Sequence, residues 1–339
     1  MGAGERTLVR TNSGQGTTSS RTVTTAHSGA ALAAEGVPIQ QAATERARRE
    51  RRYALILPRE HGAWGLLLVP MITGAGVAFQ KMWVGVPHVS PLLRDVGITS
   101  AGIVSFLLLL TAALALFWLR TPAESLLGTS AMRAQTNDER RAVVSVISAL
   151  GAIAALALGT LLWAGRNPVL WLIGAVAAAA FILQALLKKL GRRARMLSEI
   201  VGTVGLTSSA PAAYYVITGK FGATAWMLWL ANLIFAGNQI HYVQVRIHTA
   251  RVVGARAKFA RGWTFAVGQV LMAAALCCAC LRNLMPWLAL IAFLPILVRG
   301  WFYFFQESRP LVVRRLGWSE VVQATMFCLL FITAFALGR

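Results

Sequence analysis

Apolar blocks of about 20 residues, separated by short basic segments, recur along most of this chain of 339 residues. A block of that length is what an α-helix needs to cross the hydrocarbon core of a bilayer. Only 13% of the residues are charged, against about 25% in a typical soluble domain. The sequence therefore predicts an all-α fold, a polytopic membrane helix bundle.

Nine apolar segments have the length and composition of transmembrane helices. They cover residues 62–79, 101–119, 142–164, 168–187, 196–219, 224–245, 263–280, 285–305 and 318–337. Basic residues concentrate in the connections that follow the even-numbered spans, such as residues 188–195, and are sparse in the other connections. The positive-inside rule then predicts a cytoplasmic N-terminus and a C-terminus outside.

The first part of the chain differs in composition from the rest. Residues 1–45 are rich in Thr, Ser, Gly, Ala and Gln, which predicts a disordered cytoplasmic tail before a nine-helix transmembrane domain at residues 46–339. The basic patch at residues 45–53 is expected to touch anionic lipid head groups. The net charge of +21 does not indicate nucleic-acid binding, because the basic residues alternate with apolar blocks instead of forming one basic domain.

Polar side chains in the spans gather at their predicted cytoplasmic ends, and the positive-inside rule does not explain the Glu, Asn, Gln and His residues among them. A lone ionised side chain facing lipid is costly, so such groups are expected to pair around a cavity. We predict a cytoplasm-facing pocket with Arg and His binding an anionic group, and we select as binding residues His61, Arg120, Glu124, Glu199, Asn238, His241, Arg133 and Arg246. The alternative is that these residues are interfacial groups whose polar tips reach the membrane surface.

Arg120 and Glu124 are four residues apart in the motif RTPAE, which allows two interpretations. They form a weak surface ion pair, or Arg120 and Arg133 face an anionic group, because the guanidinium presents a fork of donors to phosphate. No metal site is expected, since His241 and His248 are seven residues apart and do not match an adjacent-turn pair.

The stretches LPREHGAWGLLLVPMITG and FWLRTPAE, the latter followed downstream by ERR, resemble the YwiC-like family of bacterial integral membrane proteins. The nine-helix plan and the stretch SSAPAAYYVITGKFGATAWMLWL are also similar to the UbiA superfamily of intramembrane prenyltransferases. These resemblances imply a multi-pass protein of the bacterial cytoplasmic (inner) membrane. They also imply a membrane lipid or isoprenoid-type molecule as the partner.

The sequence departs from the UbiA pattern where that family holds its metal. UbiA-type enzymes carry Asp-rich motifs after helices 2 and 6 that hold magnesium against a prenyl diphosphate. Here the matching segments read RTPAE and NQIH, with one carboxylate and no aspartate, so no cofactor is expected and magnesium is not supported. Two functions stay open: a prenyltransferase-like or lipid-modifying protein, and a lipid-binding protein or transporter without chemistry.

Overall fold

The computed structural model describes residues 45–57, 61–84, 94–130, 132–165, 167–191, 194–307 and 312–338. Their regular structure is helical throughout, as predicted. In chain order the helices are α1 (residues 45–56), α2 (His61–Val84), α3 (Arg94–Leu127), α4 (Asn137–Trp163), α5 (Asn167–Lys189), α6 (Arg195–Thr207), α7 (Ser209–Thr218), α8 (Ala223–His248), α9 (Ala255–Leu281), α10 (Leu290–Phe305) and α11 (Val313–Leu337).

The chain divides into two units, Met1–Arg51 and Arg52–Arg339. In the first unit the structure describes residues 45–51, where Arg46 and Glu50 form an exposed ion pair of 3.2 Å. The predicted disordered tail, apart from Glu45, lies outside the described residues.

Eight segments of the described chain are helical, long and apolar enough to cross a membrane, so the chain is a multi-pass membrane protein. They correspond to eight of the nine predicted spans. The other is α8, which has 26 residues but carries Asn238, Gln239 and His241 in its second half, and these lower its mean hydropathy. The count of nine spans is therefore close, but it is not confirmed.

The fifth predicted span consists of two consecutive helices, with the break at Ser208 between α6 and α7. Pro211 follows the break and has no N–H to donate to the preceding turn. Hydroxyl groups bond the backbone around the break: Ser208 Oγ donates to the Gly205 carbonyl at 2.6 Å. Ser209 Oγ donates across to the Leu67 carbonyl of α2 at 3.1 Å. The chain thus changes from α6 to α7 at Ser208, three residues before Pro211.

Several helices begin before their predicted spans. α3 begins at Arg94 and α9 at Ala255, because a helix continues past the apolar stretch that hydropathy detects. α4 begins after Thr136, whose Oγ1 accepts from the Glu139 N–H at 3.2 Å while Glu139 Oε2 accepts from the Thr136 N–H at 3.3 Å. This reciprocal capping box stabilises the start of α4.

The main hydrophobic core is formed mostly by α2, α7, α8, α9, α10 and α11, and single residues of α3, α4 and α5 join it. Aromatic rings fill its centre, where Phe235 stacks on Phe327 with centroids 4.0 Å apart and Phe293 meets Phe327 edge to face at 5.1 Å. α2 and α7 approach each other closely at Gly74, where an added Cβ would lie 2.1 Å from the Ala210 carbonyl oxygen. Helices α3 to α6 lie beside this core and, together with α2 and α7, line the crevice described next.

Candidate functional site

An apolar crevice of about 360 Å³ lies among α2 to α7. Its wall is formed mainly by large aliphatic and aromatic side chains and by small residues of α5 and α6, including Leu67, Leu109, Leu116, Ile173, Phe181 and Leu206. Its lining residue Leu116 is 48% exposed, so the crevice reaches the outer surface of the bundle. A space of this size and chemistry suits a hydrocarbon chain.

Arg120 is the only charged residue among the described residues that line the crevice. It lies in the last part of α3, and the buried Gln184 of α5 lines the same cavity. Gln184 packs directly over Gly202 of α6, where an added Cβ would be 2.3 Å from its Nε2 atom. Gly202 thus leaves the space that the end of the Gln184 side chain occupies.

Glu124 binds two cations beside this end of the crevice. Its Oε1 accepts from Arg120 Nε at 2.9 Å and from Lys188 Nζ at 2.8 Å. The side chains are 11%, 14% and 27% exposed for Glu124, Arg120 and Lys188. The Arg120–Glu124 pair expected from the RTPAE motif exists, but it is mostly buried and includes a second cation from α5.

The RTPAE motif remains helical in spite of Pro122, since α3 continues to Leu127. Helical geometry places residues four apart on the same face, which brings the Arg120 and Glu124 side chains together. The Ser125 hydroxyl donates to the Pro122 carbonyl at 2.8 Å. After the end of α3, Arg133 is exposed and packs beside Gly128, where a Cβ would be 3.3 Å from its Nε.

Glu199 of α6 accepts a hydrogen bond of 2.8 Å from Gln244 Nε2 of α8. Neither residue lines the apolar crevice. The bond joins α8 to α6 through Gln244, whereas the neighbouring His241 contacts Phe265 of α9.

Asn238 and His241 line a different cavity, of about 320 Å³, between α8 and α9. The His241 ring meets Phe265 edge to face at 5.2 Å, and its Nε2 lies 3.4 Å from Thr264 Oγ1. Asn238 Oδ1 is buried without a hydrogen-bond partner among the described residues. Both residues therefore lie on the α9 side of α8.

The structure does not gather the predicted binding residues in one pocket. Arg120 lines the apolar crevice, with Glu124 paired to it, whereas Asn238 and His241 line the α8–α9 cavity. Arg246 lines a third, polar cavity at the end of α8. The side chain of His61 lies outside the described part of the structure, although α2 begins at that residue.

Two residues of this site were missed as binding residues at the sequence level. Lys188 belongs to the basic segment 188–195, which predicts only the topology, and Gln184 lies near the end of the predicted span 168–187 and is not among the predicted binding residues. Their residue types give no indication of a site, because only the folded structure brings Lys188 of α5 to Glu124 of α3 and Gln184 of α5 to Gly202 of α6. Within the described residues, no group of three His, Cys, Asp or Glu side chains is placed to hold a metal ion.

A comparison with protein-family models matches residues 57–214 to the model described as YwiC-like protein. This segment belongs to the YwiC-like family. It contains every residue that lines the apolar crevice, from Leu67 to Ala212, and also Lys188 and Glu199. The cavities that contain Asn238, His241 and Arg246 lie after the YwiC-like segment. No curated protein and no solved structure gives a significant match to the chain.

Proposed function

We propose that this YwiC-like membrane protein holds the hydrocarbon chain of a membrane lipid or isoprenoid in the crevice among α2 to α7. The observation that carries the proposal is the combination of an almost wholly apolar wall with Arg120 as its charged residue. The apolar part would take the tail, and Arg120 would bind the polar or anionic head. The location of the crevice wholly within the YwiC-like segment supports it as the site common to that family.

For the chemistry, we propose a UbiA-like transferase or lipid-modifying activity that differs from the metal-dependent enzymes in how it binds the head group. A magnesium–diphosphate complex needs carboxylates free to bind the ion. Glu124 already accepts from a guanidinium and an ammonium group, and those cations would repel a divalent metal. The donor set at this end therefore fits an anion held directly by basic side chains better than it fits magnesium.

A non-catalytic lipid-binding protein is the second candidate, and the same engagement of Glu124 favours it. A carboxylate held by two cations is stabilised in its charged form and is a weak base. The two candidates differ in whether a bound lipid leaves the crevice chemically changed. Lipid recovered from the protein after incubation with an isoprenoid donor would contain a new product only if the protein is a transferase.

The crevice can be tested as the lipid-binding site by placing a large side chain in it. A Cβ built at Gly174, on the crevice wall, meets no heavy atom within 4 Å, and the same is true of Gly159 on α4, which does not line the crevice. Gly174→Phe should therefore fold and occupy volume that the lipid tail needs. We expect mass spectrometry of the purified variant to detect several-fold less of the specific co-purifying lipid than in the wild type.

Gly159→Phe is the matched control and should retain the wild-type lipid content. Equal lipid content in the two variants would contradict the crevice as the binding site, and so would the presence of bulk phospholipid alone in the wild type.

We further propose that the chain lies in the bacterial cytoplasmic membrane with its N-terminus in the cytoplasm and its C-terminus outside. The basic connection between α5 and α6 supports this orientation. Alkaline phosphatase fused after Arg339 should be active, because the enzyme folds only outside the cytoplasm. A fusion truncated at Gly191, after α5, should be inactive. An active cytoplasmic reporter at the C-terminus would rule out this topology.

A further inference from the structure

A polar cavity of about 600 Å³ lies where α8 and α10 end and where α9 and α11 begin. It is separate from the apolar crevice and lies outside the YwiC-like segment. Four cationic side chains line it, one from each of these helices: Arg246, Lys258, Arg299 and Arg315.

Lys258 is the buried cation of this cavity, with only 1% of its surface exposed. Its Nζ donates to the Gln306 carbonyl at 2.5 Å and lies 5.3 Å from the centre of the Tyr303 ring. None of the ion pairs among the described residues involves Lys258. An ammonium group with three protons and a single carbonyl partner is costly to bury unless an anion joins it.

Arg246 is close to the same tyrosine. Its guanidinium carbon lies 4.9 Å from the centre of the Tyr303 ring, and within the described chain it forms no ion pair. The Tyr303 hydroxyl shares a hydrogen bond of 2.5 Å with Thr249 Oγ1 at the end of α8. This bond fixes the ring near which both cations are held.

Arg299 differs from these two cations because Glu320 neutralises it. The two side chains form two hydrogen bonds of 2.7 and 3.2 Å, and the guanidinium carbon lies 4.0 Å above the centre of the Tyr242 ring. Arg299 therefore lines the cavity without adding net positive charge to it. Arg315 and Glu307 are exposed members of the lining, so the uncompensated positive charge inside the cavity comes from the buried Lys258 and the half-buried Arg246.

We infer that this cavity binds a phosphate-bearing anion, either the head group of an anionic phospholipid or a small soluble phosphate compound. The guanidinium of Arg246 offers a planar fork of donors for phosphate oxygens, and Lys258 offers a point charge with free protons. The volume is that of a small-molecule site. This inference does not depend on the function proposed for the apolar crevice.

The test uses the purified full chain in a neutral detergent, with two probes. One is pyrophosphate, compared with sodium chloride at matched ionic strength; the other is phosphatidylglycerol, compared with phosphatidylcholine. Calorimetry and the melting temperature report binding. The wild type should bind at least one of the two anionic probes more tightly than its comparison compound, and the probe that binds identifies the source of the phosphate group.

Lys258→Met and Arg246→Gln should each weaken that binding about tenfold or more, since each removes one charged contact with phosphate. Arg261→Gln is the matched control: it removes an exposed arginine of α9 that does not line the cavity, so affinity should not change. Without a probe, Lys258→Met should melt at or above the wild-type temperature, because it removes a buried charge that lacks a carboxylate partner.

The inference is overturned if neither anionic probe binds better than its comparison compound, or if Arg261→Gln weakens binding as much as Arg246→Gln does. Arg246 is only half-buried, so its variant provides a result even if Lys258→Met does not fold.

Discussion

Gly74→Ala is expected to destabilise the protein by about 3 kcal/mol or more, at the upper end of the range for an overpacked core. The added methyl carbon would lie 2.1 Å from the Ala210 carbonyl oxygen and 2.9 Å from its carbonyl carbon. These are backbone atoms of α7, which cannot rotate away as a side chain can. The two helices would have to separate, and the core between them would lose contacts.

Gly65→Ala on the same helix is the matched control, because a Cβ there meets nothing within 4 Å. It should leave stability unchanged or raise it by up to about 1 kcal/mol through the higher helix propensity of alanine. Unfolding of both variants with sodium dodecyl sulfate in mixed micelles measures the difference. Similar unfolding midpoints for the two variants would show that α2 and α7 do not pack as described.

The helices themselves could be predicted from the sequence because bilayer crossing depends on local composition. Each predicted apolar block coincides with a helix, or with the α6–α7 pair, in the structure. The ends of the helices were less predictable. α9 begins at Ala255, in a polar segment that hydropathy does not identify as part of a transmembrane span. Lys258 therefore lies outside the predicted span 263–280, although it is a buried residue of α9.

The arrangement of the polar residues could not be predicted, because it depends on the rotation of each helix about its own axis. Gln244 and His241 lie within one turn of each other in the same predicted span, but Gln244 bonds to Glu199 on α6 while His241 meets Phe265 on α9. The neighbours of each residue depend on such contacts between helices, as where Gly202 of α6 accommodates Gln184 of α5. A single sequence does not reveal which glycine faces which neighbour.

Glu124→Gln is expected to cost about 3 kcal/mol, the typical effect of removing one partner from a buried ion pair. Glutamine keeps the size of the side chain but loses the charge that compensates Arg120 and Lys188, which approach Glu124 Oε1 at 2.9 and 2.8 Å. The same unfolding measurement reports the cost. Removing the second cation as well, in Glu124→Gln/Lys188→Gln, should restore part of the lost stability, because one fewer buried charge lacks compensation.

Glu50→Gln provides the control, since Arg46 and Glu50 form the same pair four residues apart but are 83% and 69% exposed. Water screens that pair, so its loss should cost about 1 kcal/mol at most. If Glu124→Gln were as mild as Glu50→Gln, the charges around Glu124 would be solvated in the folded protein. Arg120 would then sit in a water-filled end of the crevice, and binding of an anionic head group there would have to compete with solvent.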